Sequence, residues 1–129
     1  HFSLSLVPHA GEADLTRLAL QAAALNEAPP CVAAASCPDA LPQRIEGDGI
    51  ELAAVKRPFG GKSGCVVRLL NLRPSPGLAT IVAAVPGELD VTLDRLTEDA
   101  GEPPRRGRRI QVPLRPFEVK TLRLASADA

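Results

Sequence analysis

The chain of 129 residues has no Met, no Trp and no Tyr, and only three Phe. The lack of Met predicts an excised or processed piece, one that starts directly in strand-like sequence at His1. The lack of Trp and Tyr weighs against sugar-binding modules and single-strand nucleic-acid binders, which use such rings as stacking platforms. An excess of charge is missing too: fifteen basic residues balance fifteen acidic ones, for a formal net charge of +0. No global field therefore draws the chain to nucleic acid or to an anionic membrane. No apolar run reaches the roughly eighteen residues that a membrane helix needs, and no signal peptide opens the chain. Cysteine is scarce and odd in number, at Cys31, Cys37 and Cys65. That is a poor disulfide framework. The plain reading is three small thiols in a reducing compartment, hence a cytoplasmic location, with a Cys31–Cys37 bridge as the alternative. A zinc site fits poorly, because the spacing matches no ligand pattern and His1 and His9 both lie near the N-terminus.

What is present points to one globular domain over residues 1–129. Hydrophobic residues make up 45% of the chain and charged residues 23%, which fits a packed domain and not a disordered one. Phe2, Leu4 and Leu6 alternate with Ser3 and Ser5, the period of a half-buried strand. Glu12 and Asp14 then suit the start of a helix. Leu15, Leu18, Ala19, Ala22 and Leu25 follow one helical face, and Pro29-Pro30 forbid continuation beyond about Ala28. After Pro30, Pro and Gly recur at short intervals and the rest reads as strands. Short strands are predicted at Cys31 to Ala35 and Gln43 to Glu46. Residues 50–57 and 65–72 should form a hairpin around Phe59-Gly60-Gly61-Lys62-Ser63-Gly64. Leu78 to Val85 is continuously apolar, as in a central strand. Leu89, Val91 and Leu93 alternate with Asp90, Thr92 and Asp94. Glu98 to Arg109 reads as an exposed loop, and Ile110, Val112 and Leu114 resume alternation. In the last strand Phe117 and Val119 sit in one phase and Leu122 and Leu124 in the other, which predicts a β-bulge near Lys120-Thr121. Ala125 to Ala129 should fray. The expected fold is a mainly β sandwich of about eight strands with one helix within residues 12–28.

Four constellations could carry chemistry. Gly61-Lys62-Ser63 resembles the end of a phosphate loop, but Lys56 stands where that loop needs Gly, and a strand follows instead of a helix. A hairpin turn is the better reading. Arg105-Arg106-Gly107-Arg108-Arg109 could meet phosphate, yet it lacks aromatic neighbours, and Glu98, Asp99 and Glu102 precede it. It reads as a solvated, self-compensated loop. His9 has no identifiable catalytic partner and is read as ordering the Pro8–Gly11 turn. Asp90 and Asp94 share the polar face of a strand, which should simply meet solvent. No position is assigned as catalytic, cofactor-binding or metal-ligating.

The order of segments carries more than any single site. Phe2-Ser-Leu-Ser-Leu-Val-Pro-His-Ala-Gly11 is followed by an Ala-rich helix ending Leu25-Asn26-Glu-Ala-Pro29. Then come Ile50-Glu-Leu-Ala-Ala-Val-Lys56, a Gly-rich turn, Cys65-Val-Val-Arg-Leu-Leu-Asn71, and Val112-Pro-Leu-Arg-Pro-Phe-Glu-Val-Lys-Thr-Leu-Arg-Leu124. Over nearly its whole length the chain resembles the C-terminal β-rich region of the α-mannosidases of glycoside hydrolase family thirty-eight. The resemblance implies a longer parent enzyme, compact and bacterial in type. Its missing N-terminal barrel would carry a zinc ion, an aspartate nucleophile and an acid/base carboxylate, and a helical bundle would follow. The parent would hydrolyse α-mannosidic bonds with retention. This chain would be an inactive accessory domain whose partners are those missing domains, with the mannoside bound elsewhere. If it docks on lost domains, the apolar face of the helix should be exposed and promote a homodimer. The alternative is an autonomous carbohydrate-binding sandwich, or a protein-interaction sandwich acting by strand addition along an open edge.

Overall fold

The computed structural model describes residues 4–26, 43–61, 63–83, 87–98 and 101–127. The chain divides into two compact units, His1–Cys37 and Pro38–Ala129.

The first unit is built around one helix, α1 (Leu15–Asn26). Asp14 caps it: the Arg17 N–H donates to Asp14 Oδ1 at 3.1 Å, and the Leu18 N–H donates to the Asp14 carbonyl at 3.0 Å. A side-chain acceptor at this position satisfies a donor that the first turn leaves open. At the far end the Asn26 amide folds back to the Ala22 carbonyl at 2.9 Å. No residue of α1 is buried, so its apolar stripe stays largely uncovered. The strand expected from Phe2 to Leu6 is not formed where the chain is described: Leu4 to His9 are irregular. Leu4 and Leu6 are 79% and 84% exposed. Alternation alone cannot make a strand, because its N–H and C=O groups need a partner strand, and this unit has none among the described residues. Phe2 and Ser3 lie outside the described residues, as do Cys31 to Ala35 and the Cys31 and Cys37 thiols.

The second unit is the sandwich. Its strands are β1 (Gln43–Glu46), β2 (Ile50–Lys56), β3 (Cys65–Asn71), β4 (Gly77–Ala83), β5 (Leu89–Asp94), β6 (Arg105–Gly107), β7 (Arg109–Leu114) and β8 (Val119–Ser126). They form a three-stranded sheet, β1-β4-β7, and a five-stranded sheet, β2-β3-β8-β5-β6, with antiparallel pairing throughout. The fold is therefore mainly β, as the strand periods predict. The core lies between the sheets and holds Val67, Leu69, Ala79, Ile81, Leu89, Val91, Ile110, Val112, Leu114, Leu122 and Leu124. Each inner set comes from alternate positions of one strand. β4 is the central strand of its sheet, and Ala79, Thr80 and Ile81 are buried in succession. Cys65 is half-buried and packs against the core cluster.

The predicted hairpin is present as β2 and β3, joined through a 3-10 turn at Phe59–Gly61. Gly64 closes that turn at φ +92°, where a Cβ would stand 2.1 Å from the Leu124 carbonyl oxygen. Only glycine fits there.

Three expectations about the strands are corrected. The β3–β8 register runs unbroken from Cys65 opposite Leu124 to Leu70 opposite Val119, so β8 has no bulge at Lys120-Thr121. Val119 instead stays on the face opposite to Leu122 and Leu124, across from Leu70, where it is 50% exposed. The bulge lies instead in β2, between Leu52 and Ala54. The tail does not fray at Ala125, because β8 continues to Ser126 and the Ala127 N–H bonds the Glu88 carbonyl at 3.0 Å. Residues 98–109 are not simply an exposed loop: Glu98 is buried, and Arg105–Gly107 pair with β5 as β6.

Candidate functional site

The outer face of the five-stranded sheet carries a charged row. Residues directly opposite in adjacent strands share a face. Arg68 of β3 faces Thr121 of β8, which faces Asp94 of β5. In the next row Val66 faces Arg123, which faces Thr92. Asp90 and Asp94 were expected to meet solvent, and this is corrected: Asp94 is buried, as are Thr92 and, on β8, Thr121 beside it, and Asp90 is half-buried. Arg123 Nε stands 3.4 Å from Asp94 Oδ2. A charge shielded from water in this way needs a nearby counter-charge to remain ionised without a large cost.

Glu98 ties this row to the neighbouring loops. Its side chain is 7% exposed and pairs with Lys56, and Arg68 approaches it at 3.8 Å. The Phe59 N–H donates to Glu98 Oε2 at 3.0 Å. Arg68 also donates to the Leu96 carbonyl at 3.2 Å. One carboxylate thus gathers the end of β2, the 3-10 turn and the segment after β5. The Lys56 hydrogen bond, and then the Phe59 N–H, hold the Glu98 carboxyl below the ordinary glutamate value of 4.5. A depressed carboxyl stabilises the fold above the unfolded value, and that contribution is lost as pH falls through the folded value. Replacing Glu98 by Gln should therefore lower the urea midpoint near neutral pH. The gap to wild type should narrow as pH drops below 4.5. Urea titrations across that range check this, and a gap independent of pH would refute it.

A group held ionised by cations cannot donate a proton near neutral pH, so Glu98 is unsuited to general-acid work. The row sets Lys56, Arg68 and Arg123 against Asp94 and Glu98, and its chemistry is that of a brace. Among the described residues no group of three or more His, Cys, Asp or Glu could hold a metal ion.

The other constellations fall into place separately. Arg106 grips Asp90 with both arms, at 2.8 and 2.9 Å. That hydrogen bonding holds the Asp90 carboxyl below its ordinary 3.8. Arg105 pairs with Glu102 at 3.4 Å. Arg109 reaches past β4 to Glu46 of β1 at 3.0 Å. Arg105, Arg106 and Arg109 are thus compensated, the last two by strands distant in sequence, while Glu98 turns to Lys56. Asp99 and Lys62 lie outside the described residues. Gly61 ends the 3-10 turn and is followed by β3, with no helix to receive phosphate. His9 Nδ1–H donates to the Gly11 carbonyl at 3.0 Å, the turn-ordering role read from the sequence.

Asn71 was visible only as part of a motif. It is fully buried at the inner end of β3. Its amide donates to the Ser75 carbonyl at 2.8 Å and the Arg115 carbonyl at 2.9 Å. Its Oδ1 accepts the Arg73 N–H at 3.0 Å. The side chain knots the β3–β4 loop to the β7–β8 turn. The signal was its phase, since Cys65, Val67, Leu69 and Asn71 alternate on one face, and a polar residue there must find partners.

Between the sheets, a cavity of about 210 Å³ is lined by Val91, Leu93, Ile110, Val112 and Leu122, with Glu102, Arg105 and Lys120 also contributing. Pockets for drug-sized molecules run to roughly 300–1,000 Å³, so this one is small for a sugar chain. Among the described residues no helix is long and apolar enough to cross a membrane. No protein-family model, no curated protein and no solved structure matches the chain.

Proposed function

We propose that the chain is a non-catalytic accessory β-sandwich of an α-mannosidase resembling those of glycoside hydrolase family thirty-eight. Its role is to pack against the catalytic and helical domains of the parent and brace them. The observation that supports this is where two of the resembling strings meet. Val67-Arg-Leu-Leu-Asn71 and Pro116-Phe-Glu-Val-Lys-Thr-Leu-Arg-Leu124 run through the adjacent strands β3 and β8. The last residue of the first string bonds the carbonyl of Arg115, just before the second. Strings far apart in sequence thus serve one structural knot, as a shared scaffold requires. The parent's zinc and reacting carboxylates belong to the missing catalytic domain in this reading, and the mannoside binds there.

Retaining hydrolysis needs a nucleophile and an acid/base carboxylate roughly 5–5.5 Å apart across the scissile bond. Here the described carboxylates Asp90, Asp94 and Glu98 each face a cation. Purified chain incubated overnight with a chromogenic aryl α-mannoside and zinc should give no turnover above a buffer blank. Turnover that survives repurification and vanishes with a chelator would overturn the accessory reading. The coding sequence upstream of His1 tests the parentage directly. It should contain a histidine-x-aspartate motif in a barrel-like region, and an upstream frame without one would sink the mannosidase assignment.

The carbohydrate-binding alternative has one observation in its favour: Phe59 is 81% exposed on its turn and could stack on a pyranose. Calorimetric heat on titration with mannose, lost in Phe59→Ala, would favour that reading.

A further inference from the structure

Among the described residues the two sheets end in four edge strands, β1 and β7 in one and β2 and β6 in the other. An open edge offers unpaired N–H and C=O groups to any extended chain, so folded domains blunt such edges with charge, proline or short length. β1 is four residues long and carries Arg44 and Glu46. β6 is three residues long and carries Arg105 and Arg106. β7 contains Pro113, which has no N–H, and the Pro113 carbonyl accepts from Lys120 Nζ. β2 is guarded only by a bulge and by Glu51 and Lys56 near its ends. It has seven residues, no proline, and Leu52-Ala53-Ala54-Val55 at its middle. Among the described residues it pairs only with β3.

The bulge gives β2 a two-fold pattern. Leu52 faces Leu69, and Val55 faces Val67, so both belong to the inner face although three positions apart. Glu51 faces Leu70 and Lys56 faces Val66, so both belong to the outer face. In an unbulged strand, residues three apart point to opposite faces. With the bulge, the order outer acid, inner aliphatic, Ala-Ala, inner aliphatic, outer base keeps its faces when the strand is turned end for end. Leu52 and Val55 are 41% and 40% exposed despite facing inward.

We propose that β2 is a self-recognition edge, along which two copies of this chain pair antiparallel about a two-fold axis at Ala53-Ala54. Glu51 then meets the partner's Lys56, and Leu52 meets the partner's Val55, each contact occurring twice. Charge selects this direction, because a parallel pairing would set Glu51 against the partner's Glu51. The Lys56 ammonium has three donors and can serve Glu98 and the partner's Glu51 together. The five-stranded sheets become one continuous sheet, and the half-covered aliphatics close over each other. This does not rest on the mannosidase reading.

The test is sedimentation of the 129-residue chain over a concentration series, with hydrogen exchange of the amides of β2. The expected result is a reversible dimer whose β2 amides exchange more slowly as concentration rises. Glu51→Lys sets like charges opposite each other twice and should weaken dimerisation about tenfold or more. Leu52→Lys should do the same. Both variants should keep the far-ultraviolet circular dichroism of wild type. Leu20→Lys, on the exposed side of α1, should leave the dimer intact. A monomer at every concentration overturns the proposal. So does a dimer that survives both β2 variants, or β2 amides whose exchange does not change on dimerisation. The exchange readout uses the wild-type chain and stands even if a variant misfolds.

Discussion

Replacing Asn71 by Asp is expected to lower the unfolding free energy by about 2–5 kcal/mol, from the cost of leaving buried polar groups unpaired. The change is nearly isosteric, so packing hardly enters. What changes is donor count. The Asn71 amide supplies both hydrogens that reach the Ser75 and Arg115 carbonyls. A carboxylate supplies none, so it sets an oxygen against two carbonyl oxygens at a site with no exposure. Each buried group left unpaired costs about 1–3 kcal/mol, and an added buried charge costs more. Only the Arg73 N–H, which now reaches Asn71 Oδ1, would still find an acceptor. Urea unfolding followed by circular dichroism near neutral pH reads the loss. A change below about 0.5 kcal/mol, the usual range for surface substitutions, would show that the knot does not hold the loops together.

Leu69→Ala is expected to cost about 2–5 kcal/mol, the range for truncating a buried leucine. Leu69 has no exposed surface and belongs to the core cluster. Its truncation loses the transfer free energy of the removed carbons and leaves a cavity that β8 and the opposing sheet cannot fill without moving. Against a total stability of about 5–15 kcal/mol for a domain, that is a large share. The control lies directly across the hairpin. Leu52 pairs with Leu69 in register but is 41% exposed. Leu52→Ala should therefore cost about 1 kcal/mol or less when measured at low protein concentration. Equal losses at the two positions would mean that the inner face of β2 is covered in a way that its exposure contradicts.

The contrast between these leucines also separates what local pattern can say from what it cannot. Alternation at Leu89, Val91 and Leu93, or at Ile110, Val112 and Leu114, identifies an inner face, because successive side chains of any strand point to opposite sides. The same alternation at Phe2, Leu4 and Leu6 predicts a strand that the described residues do not form, since pairing depends on a partner elsewhere. Phase reversal in the last strand was legible. Its cause was not, because a bulge and a regular strand that leaves Val119 exposed on the opposite face produce the same sequence pattern, and β8 takes the second course.

The candidate site was less legible than the fold. Glu98 read as one more acid in a polar loop, and nothing local distinguishes it from Glu102. Its burial depends on Lys56, forty-two positions earlier, and on the Phe59 amide. Asp94 looked solvent-facing for the same reason.

By itself, the sequence determined the strand periods, the Asp14 helix start, the glycine turn before β3 and the apolar set that can form a core. These follow from the two-residue and 3.6-residue periods and from local backbone sterics, which need only neighbouring residues. Only the tertiary structure decided which polar face is covered, which carboxylate meets which cation, where the bulge falls, and that β2 is an edge whose uncharged middle is half exposed. Those outcomes depend on pairings between distant segments. Whether a face is buried or open is a property of what packs against it, and no strand carries that information in its own residues.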